Sequence, residues 1–82
     1  MATLIKADGT TTELKPAKKS FALEELQAAV GGWIEQIRLG RDVMLVNEEG
    51  AMRDLPINEK ASMRAGTTIR GDVVLCINGK MS

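Results

Sequence analysis

The sequence contains no histidine and no tyrosine, and Phe21 and Trp33 are its only aromatic residues. Without histidine there are no His-based triads or dyads and few ways to build a catalytic zinc site. A single cysteine, Cys76, rules out an internal disulfide. It lies in the apolar run Val73-Val74-Leu75-Cys76-Ile77, with no basic neighbour to lower its pKa, and so reads as a small core residue in a reducing compartment. Neither charge sign dominates: 11 basic and 11 acidic residues give a formal net charge of +0. That removes whole-molecule attraction to nucleic acid or acidic membranes. No apolar run approaches the roughly 20 residues of a membrane helix, and no secretory h-region opens the chain. The expected location is cytoplasmic, or the host cytoplasm if the gene is carried by a phage. The nucleotide-binding glycine signatures are missing too: Gly31-Gly32 ends a helical pattern instead of opening one.

What remains, 82 residues with 44% hydrophobic and 27% charged, is the composition of one small globular domain spanning 1–82. Leu4–Ala7 and Thr10–Leu14 read as strands around an Asp8-Gly9 turn. Lys15-Pro16-Ala17-Lys18-Lys19 is a basic connection, a solvated loop or an anion contact at the next helix. Ser20 is a suitable N-cap for a helix through Val30, with Leu23, Leu26 and Val30 on one stripe and Glu24 and Glu25 favoured by the dipole. Trp33–Leu39 and Val43–Val46 read as strands, with a brief third over Ala51–Leu55. Asn58 caps a short helix that Gly66 ends, and Val73–Ile77 is the last strand. The expected fold is α+β, of β-grasp-like order β-β-α-β-β-α-β, with a small mixed sheet and the main helix on one face.

Two strands do not alternate as one-sided strands should. Val43–Val46 and Val73–Ile77 are apolar throughout, which buries both faces of the sheet. The main helix covers only one. A second copy is the simplest cover for the other, so Met44, Val46, Val74 and Cys76 are the expected contacts of a homo-oligomer.

The carboxylate pairs Glu24/Glu25 and Glu48/Glu49 read as solvated residues, because a chain this short has little room for the cleft that acid–base chemistry requires. No enzyme, metal or cofactor is expected. Trp33 is either a sheet anchor or an exposed hot spot. Asn47 and Asn58 are a turn residue and a helix cap, or readers of a base edge or ribose. Arg53, Arg64 and Arg70 are solvated surface, or bidentate grips for phosphate. Scattered cations and one large stacking ring argue against direct nucleic-acid binding.

The blocks Phe21-x-Leu23-Glu24-Glu25-Leu26-Gln27-x-x-Val30-Gly31-Gly32-Trp33-Ile34-Glu35, Val46-Asn47-Glu48-Glu49-Gly50, Leu55-Pro56-Ile57-Asn58-x-x-Ala61-Ser62 and Ile69-x-Gly71-Asp72-Val73-Val74-Leu75 resemble a family of small proteins of unknown function encoded by phages, plasmids and their bacterial hosts. The resemblance implies a non-enzymatic accessory protein that inhibits a host function or defence by binding a host protein. The alternatives are a sponge for a cyclic or phosphorylated nucleotide and a structural, ubiquitin-like module. The tail Asn78–Ser82 lacks the terminal Gly-Gly of a conjugated modifier.

Overall fold

A computed structural model describes residues 2–14, 23–50 and 52–77. The order is β1 (Ala2–Ile5), β2 (Thr11–Leu14), α1 (Leu23–Val30), β3 (Ile34–Leu39), β4 (Asp42–Asn47), α2 (Glu59–Ala65) and β5 (Val73–Cys76). This is the α+β order expected from the sequence. The basic connection, the Ser20 cap, the side chain of Leu23 and the tail after Ile77 lie outside the described residues.

The strands form one five-stranded sheet in the order β2-β1-β5-β4-β3. Every neighbouring pair is antiparallel, so the mixed sheet is corrected to an antiparallel one. Strand direction depends on where connections return, which residue composition does not encode. The long excursion through α2 brings the chain back to the end it left: Asn47 closes β4, Asp72 precedes β5, and both line one depression. The expected strand at Ala51–Leu55 is also not seen among its described residues, 52–55. Residues 52–54 turn, and Asp54 takes a positive φ of 50°.

Both faces of the central strands β4 and β5 are buried, and each face has its own helix. On one face Leu26 and Val30 of α1 pack with Ala2, Leu45, Val74 and Cys76. On the other Ala61 of α2 packs with Ile5, Met44, Val46, Ile69, Val73 and Leu75. Alternation along β4 and β5 sends successive side chains to opposite clusters. This overturns the uncovered second face. Met44 and Val46 lie in the α2 cluster, Val74 and Cys76 in the α1 cluster, and all four are buried within a single chain. These four side chains are therefore not exposed to a second copy. The seven-residue α2 suffices because its flanks help: Ile69 joins the core, and the 56–58 and 69–71 segments bond to each other, Asn58 N donating to Ile69 O and Gly71 N to Pro56 O, both at 2.8 Å.

Both helices end as the sequence suggests. Gly31 has φ 81° and donates to Gln27 O at 2.9 Å, closing α1. Gly66 has φ 73° and donates to Ser62 O at 2.9 Å, closing α2. Both use the left-handed conformation that glycine adopts without a Cβ penalty. No helix among the described residues is long and apolar enough to cross a membrane.

Candidate functional site

Asn58 stands at the start of α2, where the helix leaves amide groups without intrahelical partners. Its Oδ1 accepts from Ala61 N at 3.1 Å. Its Nδ2 donates to Ile5 O at 2.8 Å and Gly71 O at 2.9 Å. The side chain is 0% exposed, so one amide caps α2 and ties it to β1 and to the approach to β5. No group is left over to read a ligand.

Asn47 is the counterpart on the α1 face. Its Nδ2 donates to Val30 O at 3.1 Å, at the end of α1, and its Oδ1 accepts from Glu49 N at 2.8 Å. It too is buried. A Cβ added at Gly32 would stand 3.1 Å from Asn47 Nδ2, which explains the second glycine of the pair by close approach. The Gly-Gly block and the Asn-Glu-Glu-Gly block of the sequence are therefore two sides of one contact.

The arginines separate. Arg64, in the last turn of α2, forms an ion pair with Asp42. Arg70 donates through Nη1 to Asp54 Oδ1 at 3.1 Å and to Leu55 O at 2.9 Å, fastening the 52–55 turn to the strand-like segment before β5. Arg53 is exposed, and its Nη1 donates to Gly31 O at 3.3 Å across the end of α1. Of the three, only Arg53 has no carboxylate partner among the described residues.

Of the two readings of Trp33, the buried sheet anchor does not hold. The residue is 64% exposed. It stands one residue before β3, at the rim of the sheet, where its carbonyl still accepts from Glu48 N at 2.8 Å. The Gly31–Trp33 link and the 48–54 turn thus lie side by side. They place Trp33, Arg53 and the 84% exposed Met52 on two neighbouring loops at one end of the sheet. Met52 was missed by sequence reading, since an isolated methionine in a polar turn carries no periodic signal.

Two open depressions adjoin this end. One, of about 390 Å³, includes Val30, Gly31, Asn47, Arg53 and Asp72. The other, of about 430 Å³, lies on the α2 face and includes Glu35, Val46, Glu48 and Arg70. Trp33, Asn58 and Arg64 line neither, so the six sequence candidates do not converge on one site. Cys76 is buried, and burial raises its thiol pKa above the ordinary 9.0, which keeps it protonated and unreactive. No group of three or more potential ligands stands ready for a metal ion among the described residues.

No curated protein matches the chain, and no solved structure does. The family model of a domain of unknown function, DUF3846, matches residues 1–81, and the chain therefore belongs to that family.

Proposed function

We propose that this is a non-catalytic binding protein that engages a protein partner through the end of the sheet carrying Trp33, Met52 and Arg53. The observation that carries the reading is the exposure of the chain's only tryptophan, 64%, in a fold that buries both faces of its central strands. An indole left in water forgoes stabilisation: covering about 150 Å² of it is worth roughly 3–4 kcal/mol at ~25 cal/mol per Å². Trp and Arg are the residue types enriched at the energetic centres of interfaces, and Met adapts to irregular partners.

A protein fits this end better than a nucleotide. Both amide groups of Asn47 and of Asn58 are engaged inside the fold. Arg64 and Arg70 are held by aspartates. That leaves Arg53 alone of the proposed phosphate grips. A partner protein also replaces the second copy as the expected occupant, because the four side chains expected at a copy-to-copy contact, Met44, Val46, Val74 and Cys76, are buried within the chain. The family resemblance supplies the setting for this proposal: a phage or mobile-element protein acting stoichiometrically as an inhibitor of a host function or defence.

The test is capture of a partner from bacterial lysate on the immobilised protein, repeated with Trp33→Ala and Arg53→Ala. The expected result is one host protein retained in fixed stoichiometry, its affinity falling at least tenfold with Trp33→Ala at unchanged stability. Retention of the same partner by both variants would refute the assignment of the surface. A bound nucleotide released on denaturation would favour the sponge.

A further inference from the structure

β3 is an edge strand, and no described strand pairs with its outer side. The Gly40-Arg41 turn sets Leu39 opposite Asp42, and Glu48 N donates to Trp33 O at 2.8 Å at the other end of the hairpin. Odd-numbered residues of β3 therefore exchange hydrogen bonds with β4. By alternation, Ile34, Gln36 and Arg38 turn their N–H and C=O groups outward. The register with β4 runs unbroken from Ile34 to Leu39, with neither proline nor bulge to spoil it. Such a row is a template for an added strand.

A groove runs beside this edge on the α2 face. Its apolar lining is Ile37, Val46 and Ile69, and Glu35 and Glu48 contribute carboxylates. Neither glutamate pairs with a cation among the described residues. Arg70 also lines the groove, but its guanidinium is bound to Asp54 and Leu55 O.

A second copy of β3 is a poor occupant. Two-fold antiparallel pairing requires facing residues to share a sheet face, which leaves two central registers. With Gln36 opposite Gln36, Glu35 lies diagonal to its own mate. With Ile37 opposite Ile37, Arg38 does. Each register sets like charges within reach of one another, which is destabilising. A foreign strand escapes this by facing Glu35 with a cation and Arg38 with an anion. Glu35 and Arg38 are three residues apart and point to opposite faces.

We propose that the β3 edge receives an extended segment of the partner protein, added antiparallel, in which an Asp or Glu is followed three positions later by a Lys or Arg. This deepens the protein-binding reading above and rests on it. The acid lies opposite Arg38. The base lies opposite Glu35, its aliphatic stem over Ile37 and Val46 and its charge between Glu35 and Glu48. Backbone bonds at Ile34, Gln36 and Arg38 supply affinity, and the two charges set register and direction.

The experiment is selection of a random eight-residue peptide library on the purified full chain, followed by affinities of the enriched peptides. The expected consensus is acid-x-x-base, with amide shifts on binding confined to β3 and the groove. Gln36→Pro removes an outward N–H without touching the β4 ladder, a substitution that edge strands tolerate, and binding falls at least tenfold. Glu35→Lys reverses the preference at the basic position to an acidic one, and it decides the matter if Gln36→Pro does not fold. Enriched peptides indifferent to both variants, or no enrichment, overturn the proposal. So does a dimer in sedimentation that Gln36→Pro dissolves, since the occupant is then a second copy. If these results fail while the lysate partner still depends on Trp33, strand addition is wrong and the protein-binding surface stands. If that dependence fails too, both readings fall.

Discussion

Asn58 and Trp33 were both candidates for ligand contact, and the fold uses them in opposite ways. Around Asn58 every polar group is spent: three hydrogen bonds, all internal, on a side chain with no exposed surface. Around Trp33 the reverse holds. A large apolar ring is mostly exposed, and the neighbouring loop carries an arginine that has no carboxylate partner among the described residues. One region holds the chain together, while the other contributes little to stability and leaves a surface to be filled. The contrast teaches that an asparagine next to apolar strands is ambiguous until its amide has been accounted for atom by atom.

The comparison breaks hardest at Asn58. Asn58→Ala leaves Ile5 O, Gly71 O and Ala61 N without their partner in the interior. At about 1–3 kcal/mol for an unsatisfied buried group, the expected loss is roughly 2–4 kcal/mol, a large share of a small domain's stability. Urea unfolding monitored by Trp33 fluorescence measures it. Gly71→Ala comes next. Gly71 has φ 85°, and an added Cβ would stand 2.9 Å from Leu55 Cδ1. Strain and crowding together are expected to cost about 1–3 kcal/mol in the same assay.

Asn47→Ala is expected to fall below both, at about 1–2 kcal/mol, because it loses one bond to α1 and one to the turn. Trp33→Ala sharpens the contrast from the other side. At 64% exposure its effect on stability is expected within about 0.5 kcal/mol, whereas partner affinity falls at least tenfold. Circular dichroism, in place of the deleted fluorophore, follows its unfolding.

The smallest effect lies at the β1–β2 turn. Hydrogen bonds from the Thr10 side chain and backbone hold the Asp8 carboxyl below its ordinary 3.8. A depressed carboxylate pKa stabilises the fold above the unfolded value, and that contribution is lost as pH falls through the folded one. Asp8→Ala is therefore expected to match the wild type below that window and to be slightly less stable above it, as acid titration at fixed urea would show.

Much of the fold was legible because local chemistry and tertiary demand agree. Gly66 and Asn58 bracket α2 as their residue types suggest, and Gly31 ends α1. The apolar runs Val43–Val46 of β4 and Val73–Cys76 of β5 correctly announced burial on both faces of these strands. What covers the second face was not legible, because a seven-residue helix with one buried residue, Ala61, gives a weak periodic signal, and Ile69 reaches the core from a segment with no periodicity at all. Antiparallel pairing throughout was hidden for a different reason: it follows from chain return, fixed here by contacts far apart in sequence, such as Asn58 to Ile5. The site was legible only as a set of residue types. Asn47 and Arg53 do meet at the Gly31-Gly32 link, with Trp33 next along the chain, whereas Arg64 is drawn away by Asp42 and Asn58 by its cap.

The most direct test is a side-by-side measurement of urea midpoint and partner affinity for Asn58→Ala and Trp33→Ala. The account requires Asn58→Ala to lower the midpoint and, at urea concentrations where it is folded, to retain the partner. It requires Trp33→Ala to keep the midpoint and lose the partner. A Trp33→Ala protein that unfolds early, or one that binds as the wild type does, would contradict it.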